Sequence, residues 1–201
     1  MTVNLRKGEK INLRKDDGGL KAVMVGLGWD EARRGGGFFG LGKPQPIDCD
    51  ASVILCGGNG KLIDPDINRS VVYFGNLRHG SDAIIHQGDN LTGEGEGDDE
   101  QILVDLQRIP QEIQRLVFVV NIYDANKRGQ HFGMIKNAFI RLVDVYGKKE
   151  FCRFDLSEDY SGMTGLIVGE IYRRDGEWKF NAIGQPVREA SRLQSLIDMY
   201  K

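Results

Sequence analysis

The segment LIVGEIYRRDGEWKFNAI, residues 166–183, has the pattern of a β-hairpin. Two runs rich in β-branched and aromatic residues, 166–173 and 178–183, lie on either side of the pair Asp175-Gly176. An Asp-Gly pair readily adopts the positive φ angles that a tight hairpin turn requires. The segment therefore predicts two antiparallel strands.

Similar short segments occur through the rest of the chain. They are β-branched or aromatic and are bounded by Gly, Asp or Asn, which is typical of strands. The other predicted strands are 20–29, 47–56, 70–74, 83–86, 102–106, 116–123, 139–145 and 151–155. Many short strands without long helices between them favour an all-β fold, an antiparallel β-sandwich or a barrel.

Helix is scarce in this sequence. Residues 110–114 predict a single helical turn, and residues 130–137 predict a short helix. The strongest helical pattern lies in residues 187–201, where the spacing of apolar residues predicts a C-terminal helix that docks on the sheets. The apolar residues of this pattern are Val187, Ala190, Leu193, Leu196, Ile197 and Tyr200.

The chain is predicted to form a single domain, residues 1–201. No internal repeat or sharp change in composition divides it. The glycine-rich residues 30–46, which include Arg33-Arg34-Gly35-Gly36-Gly37, predict a flexible insertion within that domain.

Charge and composition exclude several classes of protein. Lys and Arg number 27 and Asp and Glu number 29, so the net charge of −2 argues against a nucleic-acid binder that relies on a basic surface. The longest apolar run, 116–120, is far shorter than the roughly 20 residues that span a bilayer. The N-terminus lacks the apolar core of a signal peptide. These features predict a cytoplasmic protein without membrane insertion.

The three cysteines, Cys49, Cys56 and Cys152, have no CxxC spacing. An odd number of widely separated cysteines predicts buried, reduced thiols rather than a disulfide framework or a zinc site.

The acidic segment DNLTGEGEGDDE, residues 89–100, is the most informative part of the sequence for function. It holds six carboxylates and three glycines but no cationic residue. Crowded negative charges repel one another unless a cation neutralises them. Ca²⁺ binds six to eight oxygens from carboxylates, amides and carbonyls, and this segment supplies all three. The alternative is a solvated acidic loop.

A second acidic feature lies on the predicted strand 47–56. Asp48, Asp50 and Ser52 alternate with apolar residues, so strand geometry places the three polar side chains on one face. Two aspartates on one face favour a bound cation, and the alternative is a solvated outer face of an edge strand. Together, the strand and the acidic segment predict a two-part calcium site.

Other functional motifs are incomplete. Residues 35–43 partly match two glycine-rich phosphate-binding motifs. Pro44 stands where a P-loop requires Ser or Thr, and no predicted strand precedes the glycines, as the dinucleotide-binding motif requires. No GxSxG nucleophile motif occurs. His79, His86 and His131 are isolated in sequence and predict turn, strand-face or capping roles.

Several segments, taken in order, resemble the TerD family of tellurium-resistance and general-stress proteins. The resemblance extends from about Val3 to Ile183, and the glycine-rich insertion is most similar to the TerZ-type and Gram-positive stress-adaptation branches. The segments that carry it are 26–30, 48–52, 88–100, 118–125, 138–143, 169–173 and 176–180.

The resemblance implies an antiparallel β-sandwich of two sheets, with a few short helices and the C-terminal helix. It also implies two bound Ca²⁺ ions near one end, a cytoplasmic location and no enzymatic activity. The partners that it implies are an integral membrane protein of the TerC type and proteins of the TerB type. The implied metal ligands are Asp48, Asp50, Asp89, Asn90, Thr92, Glu94, Glu96, Asp98, Asp99 and Glu100, with Gly28, Asp30 and Asp124 as further candidates.

These features together predict a calcium-loaded binding or scaffolding module of a stress-resistance complex. One alternative is a calcium-dependent lipid-binding module, for which Arg33, Arg34, Phe38 and Phe39 would supply the membrane contacts. The other is a metal-dependent hydrolase, against which we count the lack of a His or Lys paired with the acidic segment.

Overall fold

The structure is a computed structural model that describes residues 2–14, 19–31, 46–88, 97–156 and 158–201. The described strands form two six-stranded sheets. In chain order the strands are β1 (Val3–Leu5), β2 (Lys10–Asn12), β3 (Ala22–Glu31), β4 (Cys49–Cys56), β5 (Val71–Val72), β6 (Ile84–His86), β7 (Glu100–Asp105), β8 (Arg115–Ile122), β9 (Ile135–Asp144), β10 (Lys149–Asp155), β11 (Gly165–Arg174) and β12 (Glu177–Val187).

The helices in this part of the chain are short. They are α1 (Ile67–Ser70), α2 (Ala125–Arg128) and α3 (Leu193–Ile197), together with the 3₁₀ turns Phe132–Met134 and Asp198–Tyr200. None of the described helices is long and apolar enough to cross a membrane.

The strand order is β1-β10-β9-β3-β7-β6 in the first sheet and β2-β12-β11-β8-β4-β5 in the second. Neighbouring strands are antiparallel except for β1, which pairs in parallel with β10. The predicted all-β, antiparallel-dominated sandwich is therefore confirmed.

The main core lies between the two sheets. Along β4, Cys49, Ala51 and Val53 point into this core, as the alternation of the strand predicts. The opposite face of the second sheet carries a smaller apolar cluster, in which Ile54 packs with the C-terminal residues Ala190 and Leu196. Every residue of β4 is buried because both faces of the strand are covered.

The hairpin at residues 166–183 is confirmed. β11 and β12 pair antiparallel up to Arg174 and Glu177, and the turn residues Asp175 and Gly176 have φ angles of 56° and 77°. These positive angles are the geometry that the Asp-Gly pair predicts.

The predicted helix over 130–137 is wrong. Residues 132–134 form only a 3₁₀ turn, and β9 begins at Ile135, which pairs with Glu31 of β3. Pairing with a neighbouring strand overrides a local sequence that is compatible with helix.

The C-terminal helix is also shorter than predicted. Val187 still belongs to β12, and the backbone N–H of Ala190 donates to Thr164 Oγ1 over 2.8 Å, so this part of the segment is held to the sheet. Helix begins only at Leu193. The short strands β1 and β2 and the single-turn helix α1 were not predicted.

Most of the predicted insertion, residues 32–45, lies outside the described residues. The same is true of the phosphate-loop imitation and of the lipid-contact candidates Arg33, Arg34, Phe38 and Phe39.

Candidate metal centre

Asp48 and Asp50 lie at the start of β4, on the face opposite to Cys49. The Asp48 side chain is 15% exposed, and Asp50 is 5% exposed. Asp50 therefore does not lie on a solvated outer face, which was the alternative to a cation site. Asp50 pairs in register with Asn121 of β8, whose Nδ2 lies 3.4 Å from Asp50 Oδ2.

Acids from both sheets lie near enough to the Cys49 thiol to raise its pKa. Burial raises the pKa of Cys49 well above its ordinary value, and the negative charges of nearby acids raise it further. In order of effect these acids are Asp50, Glu100, Asp48 and Asp99. The fold thus brings together the strand aspartates and the last two acids of the segment 89–100.

Asp99 lies near two further acids, Asp30 and Asp98. Burial raises the pKa of its carboxyl, and the negative charges of Asp30 and Asp98 add to this effect. The backbone N–H of Trp29 opposes the shift by donating to Asp99 Oδ2 over 2.7 Å. A cation would relieve the same repulsion.

Glu100 and His86 form a buried pair that reaches from the first sheet to β4 of the second. Glu100 Oε2 accepts the backbone N–H of Ala51 at 2.6 Å and lies 3.5 Å from His86 Nε2. His86 Nε2 also lies 3.2 Å from the carbonyl oxygen of Ala51. Because His86 Nδ1 accepts the N–H of Gly88, the ring hydrogen is on Nε2 and points toward these two oxygens.

His86 lies on β6, which agrees with the predicted strand-face role, but this pair corrects another expectation. We counted the lack of a paired histidine against hydrolase chemistry. His86 is in fact paired with Glu100, but both residues are 2% exposed and are engaged by the Ala51 backbone. The arrangement braces the two sheets rather than presenting a base to solvent.

The Asp98 carboxylate is held by Arg141. Arg141 Nε and Nη2 donate to the two carboxylate oxygens of Asp98 over 2.7 and 3.1 Å, and Gln101 donates to Asp98 Oδ2 over 3.0 Å. The Asp98 side chain is 1% exposed. It lies directly over Gly26, where an added Cβ would come within 2.3 Å of the carboxylate.

The three further candidates lie at the same end of the sandwich. Asp30 accepts a hydrogen bond of 2.7 Å from Asn137 Nδ2. Gly28 lies against the Phe139 ring and the carbonyl oxygen of Gly97. Asp124 adopts a left-handed conformation at the start of α2, and its side chain makes no capping hydrogen bond there.

α2 also places a cation next to the cluster. Arg128 Nη1 lies 3.6 Å from Asp48 Oδ2, and its guanidinium is 5.3 Å from the centre of the Tyr123 ring. Tyr123 is 43% exposed, and its backbone N–H donates to the Asp48 carbonyl over 2.8 Å.

The remaining predicted ligands, Asp89, Asn90, Thr92, Glu94 and Glu96, lie outside the described residues. Within the described ranges, no group of three or more His, Cys, Asp and Glu side chains is arranged to hold a metal ion. The donors that converge here are carboxylate and amide oxygens, which suit a hard cation such as Ca²⁺.

Four residues of the site were not predicted from the sequence: His86, Asn121, Arg128 and Arg141. Asn121 had a recognisable signal, because it is a single amide within the otherwise apolar strand β8. His86 had a weaker one, since it lies two residues from the buried Ile84 and therefore on the same face of β6.

Comparison with known proteins gives a consistent result. A family model described as the TerD domain matches residues 1–200. Stress response protein SCP2 of Bacillus subtilis (strain 168) is 50% identical over 204 residues, which cover 100% of both chains. Tellurium resistance protein TerD of Serratia marcescens is 43% identical over 186 residues, covering 92% of this chain and 91% of that protein.

A solved structure has the same fold. It is described as a homologue of telluride resistance protein TerD, SCO6318 from Streptomyces coelicolor A3(2). The TM-score is 0.64 at 22% identity, with 91% of this chain and 99% of that chain covered.

Proposed function

The chain belongs to the TerD family, as its motifs predicted, and we propose that it is a calcium-binding member of this family of stress-response and tellurium-resistance proteins. It works in the cytoplasm as a non-enzymatic binding or scaffolding module of a membrane-associated resistance complex. Its relatives are named as stress-response and resistance proteins, which supports the non-enzymatic part of the proposal.

The observation that carries the calcium proposal is that four acids from the two sheets lie near Cys49 and raise the pKa of its thiol. Asp48 and Asp50 come from β4, whereas Asp99 and Glu100 come from the other sheet, at the start of β7. Like charges that are partly buried near one another destabilise one another. A divalent cation that binds oxygen ligands removes this cost.

The residues that would hold calcium belong to two groups. Asp48, Asp50, Asp99 and Glu100 form the group fixed by the sheets, and the acidic segment at 89–96 completes the ligand set. When bound, calcium supplies the positive charge that neutralises the cluster. Asp98 has a positioning role instead, because Arg141 already engages both of its oxygens.

The surface next to the cluster is the proposed docking face for partners. Tyr123 is exposed there, with Arg128 between its ring and Asp48. Neutralising the cluster fixes this end of the sandwich and therefore the position of Tyr123. The partners proposed from family membership are TerC-type membrane proteins and TerB-type proteins.

The calcium proposal is tested by thermal unfolding and calorimetric titration. Ligand that binds only the native state stabilises it by about 2.7 kcal/mol at 100 times its Kd, so excess Ca²⁺ raises the Tm above that measured in EGTA. Asp50→Asn reduces this rise. Asp175→Asn removes the same charge at the opposite end of β11 and leaves the rise unchanged.

Identical melting curves in calcium and in EGTA, with no heat of binding, would refute the calcium proposal. The non-enzymatic part is tested separately with phosphoester and nucleotide substrates. If the protein hydrolyses one of these substrates in a metal-dependent way and Asp50→Asn abolishes the activity, the protein is a hydrolase and the scaffold proposal is wrong.

A further inference from the structure

Three polar side chains lie on one face of the neighbouring strands β4 and β8. Asp50, Ser52 and Asn121 are 5%, 0% and 1% exposed, respectively. Asp50 and Asn121 are register partners, and Ser52 is the next residue on the same face of β4. They form a buried polar site, here called the Asn121 site.

Two oxygens of this site are unsatisfied. Among the residues that the structure describes, Asn121 Oδ1 and Ser52 Oγ have no hydrogen-bond partner. Buried acceptor oxygens in native proteins are nearly always paired, so two of them next to a buried carboxylate indicate a ligand that attracts oxygen lone pairs.

We propose that Asn121, with Ser52, supplies neutral oxygen ligands to a calcium ion bound at Asp50. This inference rests on the proposed function and deepens it, because it adds ligands from β8 and from the middle of β4. Neither residue belongs to the acidic segment or to the aspartates predicted from sequence.

The geometry of Asn121 supports this role. Asn121 Nδ2 lies 3.4 Å from Asp50 Oδ2, which is long for a hydrogen bond. Two oxygens that bind one calcium ion at right angles, each about 2.4 Å from it, lie about 3.4 Å apart. Rotating the amide by half a turn exchanges Nδ2 for Oδ1 and places an oxygen ligand at this separation without moving the backbone.

The C-terminal segment closes the Asn121 site from solvent. Asn121 pairs with Gly165 of β11, and a Cβ on Gly165 would lie 2.5 Å from the Cβ of Ala190. Ala190 is in turn tied to Thr164 by its backbone N–H. Little water reaches this row of residues, so a cation there depends on protein oxygens such as Asn121 Oδ1.

A calorimetric Ca²⁺ titration of Asn121→Ala tests the proposal. We expect the variant to lose one equivalent of calcium or to bind it about tenfold or more weakly. Asn181→Ala is the matched control, because Asn181 also has an unpaired Oδ1 and donates to a carboxylate, Glu170 Oε1, over 3.0 Å. Arg115 already pairs with Glu170 at 3.2 Å, so this control leaves calcium binding unchanged.

Asn121→Asp provides a second test with almost the same shape. It keeps an oxygen at the same position and adds a negative charge, so it binds calcium more tightly than the wild type and has a lower Tm in EGTA. This variant also decides the question if Asn121→Ala does not fold.

The outcomes separate this inference from the proposed function. Wild-type protein that binds no calcium overturns both. Wild-type protein that binds calcium, with Asn121→Ala binding the same number of ions at the same affinity, overturns only the Asn121 site. Asn121→Asp that binds no more tightly than the wild type also counts against it.

Discussion

His86 and Glu100 lie 3.5 Å apart between the two sheets and together engage the backbone of Ala51. β5 is only two residues long and pairs with β4 at Val53 and Ile54, so it does not extend to Ala51. Side chains from the opposite sheet therefore engage the Ala51 amide and carbonyl, as a neighbouring strand would do.

His86→Ala is expected to destabilise the protein by about 1–3 kcal/mol, because it removes the ring N–H that faces the buried Ala51 carbonyl and Glu100 Oε2. A double-mutant cycle with Glu100→Gln, measured by urea unfolding in EGTA, should give a coupling free energy of about 1 kcal/mol or more. The exposed pair Arg78 and Asp82, 3.1 Å apart, is the reference and should couple by about 0.5 kcal/mol or less. Equal coupling in the two pairs would show that the brace is not stabilising.

Gly26→Ala is expected to cost about 1–3 kcal/mol, because the new Cβ would lie 2.3 Å from the Asp98 carboxylate. The cost should fall when the substitution is made in Asp98→Ala, which removes the obstacle. Gly80→Ala is the control, since nothing lies within 4 Å of a Cβ there. Additive free energies of unfolding for the two substitutions at 26 and 98 would contradict this account.

Arg141→Lys is expected to lower stability by about 1–3 kcal/mol even though it keeps the charge. The guanidinium contacts both oxygens of Asp98 and also donates to Glu150 Oε2 over 3.2 Å, and an ammonium group does not reproduce this planar geometry. Chemical denaturation measures the change. Arg78→Lys, in an exposed pair, should alter stability by less than about 0.5 kcal/mol. A similar loss of stability in both variants would show that the two-oxygen contact between Arg141 and Asp98 is not specifically stabilising.

Stability is expected to fall as the pH rises above the ordinary range of a thiol pKa. Burial raises the pKa of Cys56 to about 11 and that of Cys152 to about 12. A thiol with a raised folded-state pKa stabilises the native state below its unfolded pKa, about 8.5, and this contribution is lost as the pH rises toward the folded value.

The urea midpoint should therefore begin to drop at about pH 8.5 and keep dropping toward about pH 11, and the drop should be smaller in Cys152→Ala. Thiol reagents should modify the wild-type cysteines at neutral pH only after denaturation. Rapid labelling of the native protein would mean that these thiols are not buried in solution.

The sequence predicted features whose cause is local. The Asp175-Gly176 turn depends only on the φ preferences of two adjacent residues, and the alternation along β4 depends only on strand period. The helix predicted over residues 130–137 was wrong because β9 pairs with β3 there, and this pairing joins positions about a hundred residues apart. β1 and β2 are three residues each, too short to show a pattern.

Only those parts of the candidate site that are close in sequence could be predicted. Asp48 and Asp50 could be found because they are two residues apart on one strand. The brace of His86 and Glu100 on Ala51 joins three strands, and nothing in their spacing along the chain brings them together. Asn121 could be recognised as a polar residue in an apolar strand, but its partner Asp50 is 71 residues away.

The pairing of the two N-terminal strands has a consequence for biosynthesis. β1 pairs with β10, where Val3 is opposite Cys152. β2 pairs with β12, where Ile11 is opposite Phe180. β1 and β2 precede the other described strands along the chain, yet their hydrogen-bonding partners follow about 150 residues or more later. Such distant pairings slow folding, because a long stretch of chain must be ordered before they form. During translation, β1 and β2 therefore stay unpaired until β10 and β12 have been synthesised.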